Sequence, residues 1–318
     1  MSKISIIGAT GNVGMFAAHA ISAIPYTSEV MLYGRPGREE LLQGISHDLL
    51  DSFAARGTDS RMTWTTDLAD LEGSEIIVCT AGVPRVPGQD RIDLALKNAK
   101  IIATLAQDLG QIAPASKILM VTNPVDVMTS VALRYSGMKP TQVFGLGTHL
   151  DSMRLKALIA AFFRVHVSEV HTRIIGEHGA SMVPLWSATT VGGIQISNLP
   201  EFSKLPVGDM VERVKHSGEL IIKYKGSTVY GPGEAIANIV STILGNENRI
   251  LTVSAHIKRE VHGIGNVCIG VPARINRSGV FPVTIRLEDH EVSAFRDSVR
   301  KIRSITKQVL DRLDEEME

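Results

Sequence analysis

Short apolar runs alternate with longer amphipathic stretches through the first 145 residues of this chain. Ile4-Ser5-Ile6-Ile7 reads as a buried strand, and similar signals recur at 30–33, 62–65, 76–80, 118–122 and 143–144. Between them, apolar residues return every three or four positions over 13–24, 39–50, 94–112 and 127–135, the spacing of helices that rest one face on a core. Pro25 ends the first helix because it has no N–H to extend it. Strands this uniformly apolar are buried on both faces, which requires crossover helices on each side. The pattern predicts a doubly wound parallel α/β sheet.

Beyond Gly145-Leu146-Gly147 the pattern changes. A helix with Leu155, Leu158 and Ile159 on one side leads into a strand-like run at 170–175, and a Gly-rich turn follows at Gly192-Gly193. Residues 267–271 and 283–287 are expected to be antiparallel strands. Val292, Phe295, Val299, Ile302, Ile305 and Val309 then mark the core-facing stripe of a long terminal helix. The predicted division is a parallel unit over 1–145 and a mixed α+β unit over 146–318. No repeat or long linker separates the two, so they should pack closely.

Composition narrows the function. Lys plus Arg and Asp plus Glu each number 33, giving a formal net charge of zero. A general nucleic-acid binder needs a basic excess to displace counterions, and this chain has none. Cys79 and Cys268 each sit inside an apolar run and are expected to be buried, reduced thiols rather than a disulfide. Apolar residues begin at once, without the basic segment and cleavage site of a signal peptide. No run approaches the ~20 apolar residues that span a bilayer. These features predict a cytoplasmic protein that does not engage membranes.

Gly8-Ala9-Thr10-Gly11-Asn12-Val13-Gly14 follows the first strand and opens the first helix. Glycines there permit a tight turn and close approach of the backbone to a pyrophosphate, while the helix start supplies N–H donors. Taken alone, three glycines also fit any crowded strand–helix turn; within the first βαβ unit they indicate a Rossmann dinucleotide site. About 20 residues on, an NAD-selective fold usually carries an acid for the ribose hydroxyls. Here the chain reads Gly34-Arg35-Pro36-Gly37-Arg38. Without that acid a 2′-phosphate is not repelled, and Arg35 and Arg38 can pair with it. NADP(H) is therefore the expected cofactor, with NAD(H) the alternative. The bland alternative for the two arginines is a solvated loop.

Four further segments carry chemistry: Ala81-Gly82-Val83-Pro84-Arg85-Val86-Pro87-Gly88-Gln89-Asp90-Arg91, Thr122-Asn123-Pro124-Val125-Asp126, Leu150-Asp151-Ser152-Met153-Arg154 and Gly176-Glu177-His178-Gly179. In these motifs and their order the sequence closely resembles the lactate/malate dehydrogenase family over essentially its whole length, particularly the archaeal malate dehydrogenases. The resemblance implies a dinucleotide-binding domain followed by a catalytic domain, and reduction of a 2-keto acid by a nicotinamide. It makes His178 the acid/base and Asp151 its partner, with Arg154 gripping the substrate's C1 carboxylate. Arg91 then polarises the carbonyl, from a loop that in the family closes over the substrate. Arg85 occupies the position that selects the substrate's tail, where a guanidinium suits a second carboxylate and predicts oxaloacetate and malate.

Asn123 is placed to bond the substrate oxygen and help seat the nicotinamide, or else serves only a turn. Thr228 aligns loosely with the substrate wall. Thr80, Ala81, Gly82 and Val121 complete the expected cofactor contacts. The resemblance also implies a homodimer or homotetramer, for which the helix around 44–49 is a candidate contact face.

Two local alternatives and two rival functions stand beside this reading. His178 between two glycines suits a structural turn, and Thr148-His149-Leu150-Asp151 fits a helix capping box. A lactate dehydrogenase would share the machinery, and a non-catalytic dinucleotide-binding module would need none of it. His166, Glu169 and His171 lie close in sequence but lack the spacing of a zinc motif, so no metal is expected. The family commonly reads Gly-Glu-His-Gly-Asp; Ala180 stands here in place of the last acid, which puts any hydrogen bond from that position in doubt.

Overall fold

The computed structural model describes residues 2–84 and 91–317. Six parallel strands come first: β1 (Ser2–Ile7), β2 (Thr27–Tyr33), β3 (Arg61–Thr65), β4 (Ile76–Cys79), β5 (Lys117–Met120) and β6 (Val143–Gly145), in the spatial order β3-β2-β1-β4-β5-β6. Their crossovers contain α1 (Asn12–Ser22), α2 (Glu39–Arg56), α3 (Arg91–Ile112) and α4 (Val125–Ser136). Alternate residues serve opposite faces: Ile4, Ile6, Ile76 and Val78 join one core, while Ile7, Ile77 and Cys79 join the other. Both faces are covered, as the uniform apolarity of the runs requires. Cys79 and Cys268 are buried free thiols, and desolvation raises them to about 11 and about 12.

The second half adds α5 (His149–Phe163), short strands β7 (Val170–His171), β8 (Ile174–Gly176), β9 (Met182–Pro184), β10 (Thr190–Val191) and β11 (Ile194–Gln195), then α6 (Val207–Lys225) and α7 (Tyr230–Leu244). It closes with β12 (Arg249–Ile257), β13 (Val267–Asn276), β14 (Gly279–Pro282) and α8 (Asp289–Met317). β12 lies antiparallel to β6 through Ser254 and Gly145, so the parallel sheet continues as β12-β13-β8-β9. This continuity matters for the site: it carries the turn after β8 toward α4 and α5.

The structure departs from the sequence reading in the second half. Residues 170–175 are two strands in different sheets, not one run. Residues 283–287 form no strand; the partner of β13 on that side is β14 at 279–282, because the reversal at Arg277 and Ser278 comes earlier than the apolar run suggests. The terminal helix is as expected, with Val292, Phe295, Val299, Ile302 and Val309 buried. No described helix is long and apolar enough to cross a membrane.

Candidate active site

The ends of β1, β4 and β5 lie side by side, so the loops that follow them form one edge. Gly8 has a φ of +83°, and a Cβ there would come within 2.7 Å of Thr80 Oγ1 and 2.8 Å of Ala81 N. A Cβ on Gly14 would lie 2.5 Å from Gly8 O. Both positions therefore demand glycine. The N-cap of α1, Gly11, offers no side-chain acceptor, which leaves donors of the first helical turn for an anion. The turn around Ala9, Thr10, Asn12 and Val13 thus has the backbone a dinucleotide pyrophosphate needs.

Tyr33 O accepts from Gly8 N and Ala9 N, which sets the end of β2 against this turn. Gly34 follows directly, packed over Leu42. Arg35 and Arg38 are exposed and make no ion pair among the described residues. The nearest acid in sequence, Glu39, accepts a 3.0 Å bond from Gly37 N, and backbone hydrogen bonds at Glu39 and Gly37 hold its carboxyl below the usual range. Val121 and Ala81 are half-buried and Gly82 exposed; Thr122 Oγ1 donates to Ala81 O at 2.6 Å. Thr228 is half-buried in the connection between α6 and α7, where its neighbour Ser227 accepts from the Asn12 side chain at 2.9 Å.

Asp151 and Arg154 share the first turns of α5. Asp151 is buried, with Oδ2 2.5 Å from His178 Nδ1 and Oδ1 accepting from Arg154 Nη1 at 3.2 Å. The capping-box alternative fails here: Thr148 makes no side-chain cap, and its hydroxyl donates instead to Ile174 O at 2.5 Å. With the cap role absent, the Asp151 carboxylate is committed to the imidazole and guanidinium. Its charge raises the pKa of His178 above the ordinary imidazole value, against the opposing effect of burial.

The structure adds a residue that sequence reasoning left unassigned. Asp126 is buried in the first turn of α4; Oδ2 accepts the His178 backbone N–H at 3.0 Å and Oδ1 accepts from the Ser254 hydroxyl at 2.6 Å. Burial lifts its carboxyl to about 6. The signal was an acid inside the apolar stretch Val125–Met128, which only a partner buried with it can justify. The neighbouring amide is also fixed, since Glu177 N donates to Ser298 Oγ on α8 at 2.7 Å. Glu177 in turn accepts from Ser181 N, the Ser181 hydroxyl and Lys301 Nζ, at 3.1, 2.5 and 2.7 Å. The turn therefore has its own acid where Ala180 supplies none.

Asn123, joined to Pro124 by a cis peptide bond, is exposed at the end of β5, and its carbonyl accepts from Asn98 on α3. Arg85 lies outside the described residues. Of Arg91 only the backbone is described, at the start of α3.

A glycine-turn dinucleotide sheet joined to a carboxylate-paired histidine and an arginine defines a class, the nicotinamide-dependent oxidoreductases. The chain belongs within it to the lactate/malate dehydrogenase family: residues 2–145 match the family's NAD-binding domain and residues 148–313 its alpha/beta C-terminal domain. It is 46% identical to the malate dehydrogenase of Methanothermobacter thermautotrophicus, over 99% of each chain. It is 45% identical to the L-2-hydroxycarboxylate dehydrogenase (NAD(P)(+)) of Methanocaldococcus jannaschii, over 96% of this chain and 99% of that one. The solved malate dehydrogenase of Salinibacter ruber superposes with a TM-score of 0.89 at 33% identity, covering 99% of this chain and 100% of its own.

Proposed function

We propose that this protein is a malate dehydrogenase that reversibly reduces oxaloacetate to (S)-malate and prefers NADP(H) to NAD(H). The observation that carries the reading is the contact of His178 with Asp151 and of Asp151 with Arg154. When bound, the dinucleotide supplies or accepts a hydride. His178 holds its Nδ1 toward Asp151, so the proton given to the growing alkoxide leaves from Nε2. Asp151 fixes the ring and offsets the imidazolium charge. Arg154 binds the C1 carboxylate and orients the carbonyl. Asn123 bonds the substrate oxygen, Arg91 polarises the same oxygen, and Arg85 pairs with the second carboxylate. Residues 8–14, Gly34, Arg35, Arg38, residues 80–82, Val121 and Asn123 hold the dinucleotide, and Thr228 lines the substrate wall.

Under this reading residues 1–145 form the cofactor domain and 146–318 the substrate domain. The protein is cytoplasmic and assembles as a homodimer or homotetramer, using the outer face of α2. Steady-state rates of oxaloacetate and pyruvate, each with NADPH and NADH, test the core of the proposal. Oxaloacetate with NADPH should give the highest kcat/KM. A preference for pyruvate would make the protein a lactate dehydrogenase, and no oxidation of either dinucleotide would leave a binding module. Arg85→Gln should shift the oxaloacetate-to-pyruvate ratio toward pyruvate by roughly tenfold or more, the effect of losing a paired carboxylate.

A further inference from the structure

Asn98 stands on the inward face of α3 with its side chain buried, among Ala95, Ala99 and Ile102. An apolar residue would pack this position, and an amide left unbonded there would destabilise the fold. The amide is instead fully used. Oδ1 accepts from Val83 N at 2.7 Å, while Nδ2 donates to Asn123 O at 2.8 Å and to Val83 O at 3.4 Å. The orientation of the amide follows from these partners, since an N–H must meet an acceptor and a carbonyl a donor. Gly82 leaves the space: a Cβ there would lie 3.1 Å from Asn98 Oδ1 and 2.5 Å from Thr122 Cγ2.

One buried side chain thus ties together two segments that follow different strands. We propose that Asn98 is a positioning residue: by clamping Asn123 O to the backbone at Val83, it fixes the substrate-facing end of β5. This rests on the reading of Asn123 as a substrate-site residue. The clamp lies on β4, β5 and α3, and none of its bonds reaches the glycine turn after β1. It does border residues 80–82 and Asn123, which the proposed function gives to the dinucleotide, so it should affect NADPH affinity as well as turnover.

Asn98→Asp separates this role from simple packing. A carboxylate of the same shape still accepts from Val83 N, but when ionised it repels Asn123 O; when protonated, its O–H can donate again. Burial raises a carboxyl's pKa toward neutrality, so the two forms exchange within a usable pH range. In the full-length enzyme, kcat for oxaloacetate reduction should fall roughly tenfold or more at pH 8 relative to wild type. The ratio of variant to wild type should rise steadily as pH is lowered toward 6. The dissociation constant for NADPH, read by its fluorescence, should rise at pH 8 and return toward the wild-type value as pH falls. A ratio that is flat with pH, or a kcat at pH 8 equal to that of wild type, overturns the proposal.

Amide exchange supplies a readout independent of activity. Val83 N–H should stay protected in Asn98→Asp and lose protection in Asn98→Ala; equal protection in both also overturns it. Asn123→Ala tests the underlying reading separately. If that variant keeps full kcat, the role of Asn123 in the site falls, and the exchange data alone decide whether the clamp exists.

Discussion

The chemistry of this protein is set by how individual charges are paired in a buried setting. His178 is held protonated above its usual range chiefly by the Asp151 carboxylate, with Asp126 contributing and Arg154 opposing. With His178 as the proposed acid/base, reduction needs the protonated ring and oxidation the neutral one. Reduction should therefore persist through neutral pH and fall as pH climbs through the raised pKa, while oxidation gains over the same interval. Asp151→Asn removes the largest stabilising charge, leaving burial and Arg154, which lower the pKa, opposed only by the smaller effect of Asp126. Its alkaline limb for reduction should move toward acid, and reduction at pH 7.5 should drop roughly a hundredfold. Coincident limbs of kcat/KM for variant and wild type would refute this account of the pair. At the cofactor end, Glu39 places a carboxylate on Gly37 N beside two arginines. Replacing it with Gln removes a charge that would repel a 2′-phosphate, so kcat/KM with NADPH should rise while that with NADH holds; a loss confined to NADH would mean that Glu39 serves the ribose instead. Much at this scale was legible: His178, Asp151 and Arg154 stand in recognisable motifs, and the structure brings all three into contact. Asp126 and Asn98 escaped because their work is to hold backbone groups from distant segments, at separations of 52 and 25 residues. No local pattern encodes such partners.

At the scale of elements, legibility followed periodicity. The first six strands could be read because parallel strands buried on both faces are unbroken apolar runs. β12, α6 and α7 were not foreseen; β12 pairs with β6 across more than a hundred residues, a contact that its own composition does not announce. Helix ends also shifted: α2 runs to Arg56, past the expected 50, because Gly57 adopts a left-handed conformation that ends it there. Close packing between elements yields a test that avoids the site altogether. Gly110 on α3 approaches the end of α4 so closely that a Cβ would lie 2.0 Å from Ser136 O. Backbone cannot yield as a flexible side chain can, so Gly110→Ala must push α3 and α4 apart. Its better helix propensity recovers at most about 1 kcal/mol, whereas overpacking costs about 1–3 kcal/mol or more. Denaturant unfolding should show a net loss of stability; an unchanged or raised midpoint would mean that the two helices are less tightly apposed than this packing implies.

At the scale of the whole molecule, a single sheet unites the two halves through the pairing of β6 and β12, and the site lies where they meet. Asp126 shows why that matters. It joins α4 to the turn after β8 and to β12, so each half holds part of what aligns His178. The same outlook bears on assembly. α2 buries Leu42, Ser46, Leu49 and Phe53 against the sheet but leaves Leu41 and Leu50 more than two-fifths exposed, one on each flank of that buried stripe. Of the proposed contact stretch, Ser46 and Leu49 face inward, while Gly44, His47 and Asp48 are exposed beside those leucines. Exposed apolar side chains beside a helix's buried stripe are what a subunit contact would cover. If α2 is the contact, placing a charge there should break the assembly while sparing the fold of the subunit. Leu41→Asp combined with Leu50→Asp should sediment as a monomer at micromolar concentration, with a far-ultraviolet dichroism spectrum like that of wild type. An assembly unaffected by both charges would move the contact to another face, and a wild-type protein that sediments as a monomer would remove the need for one.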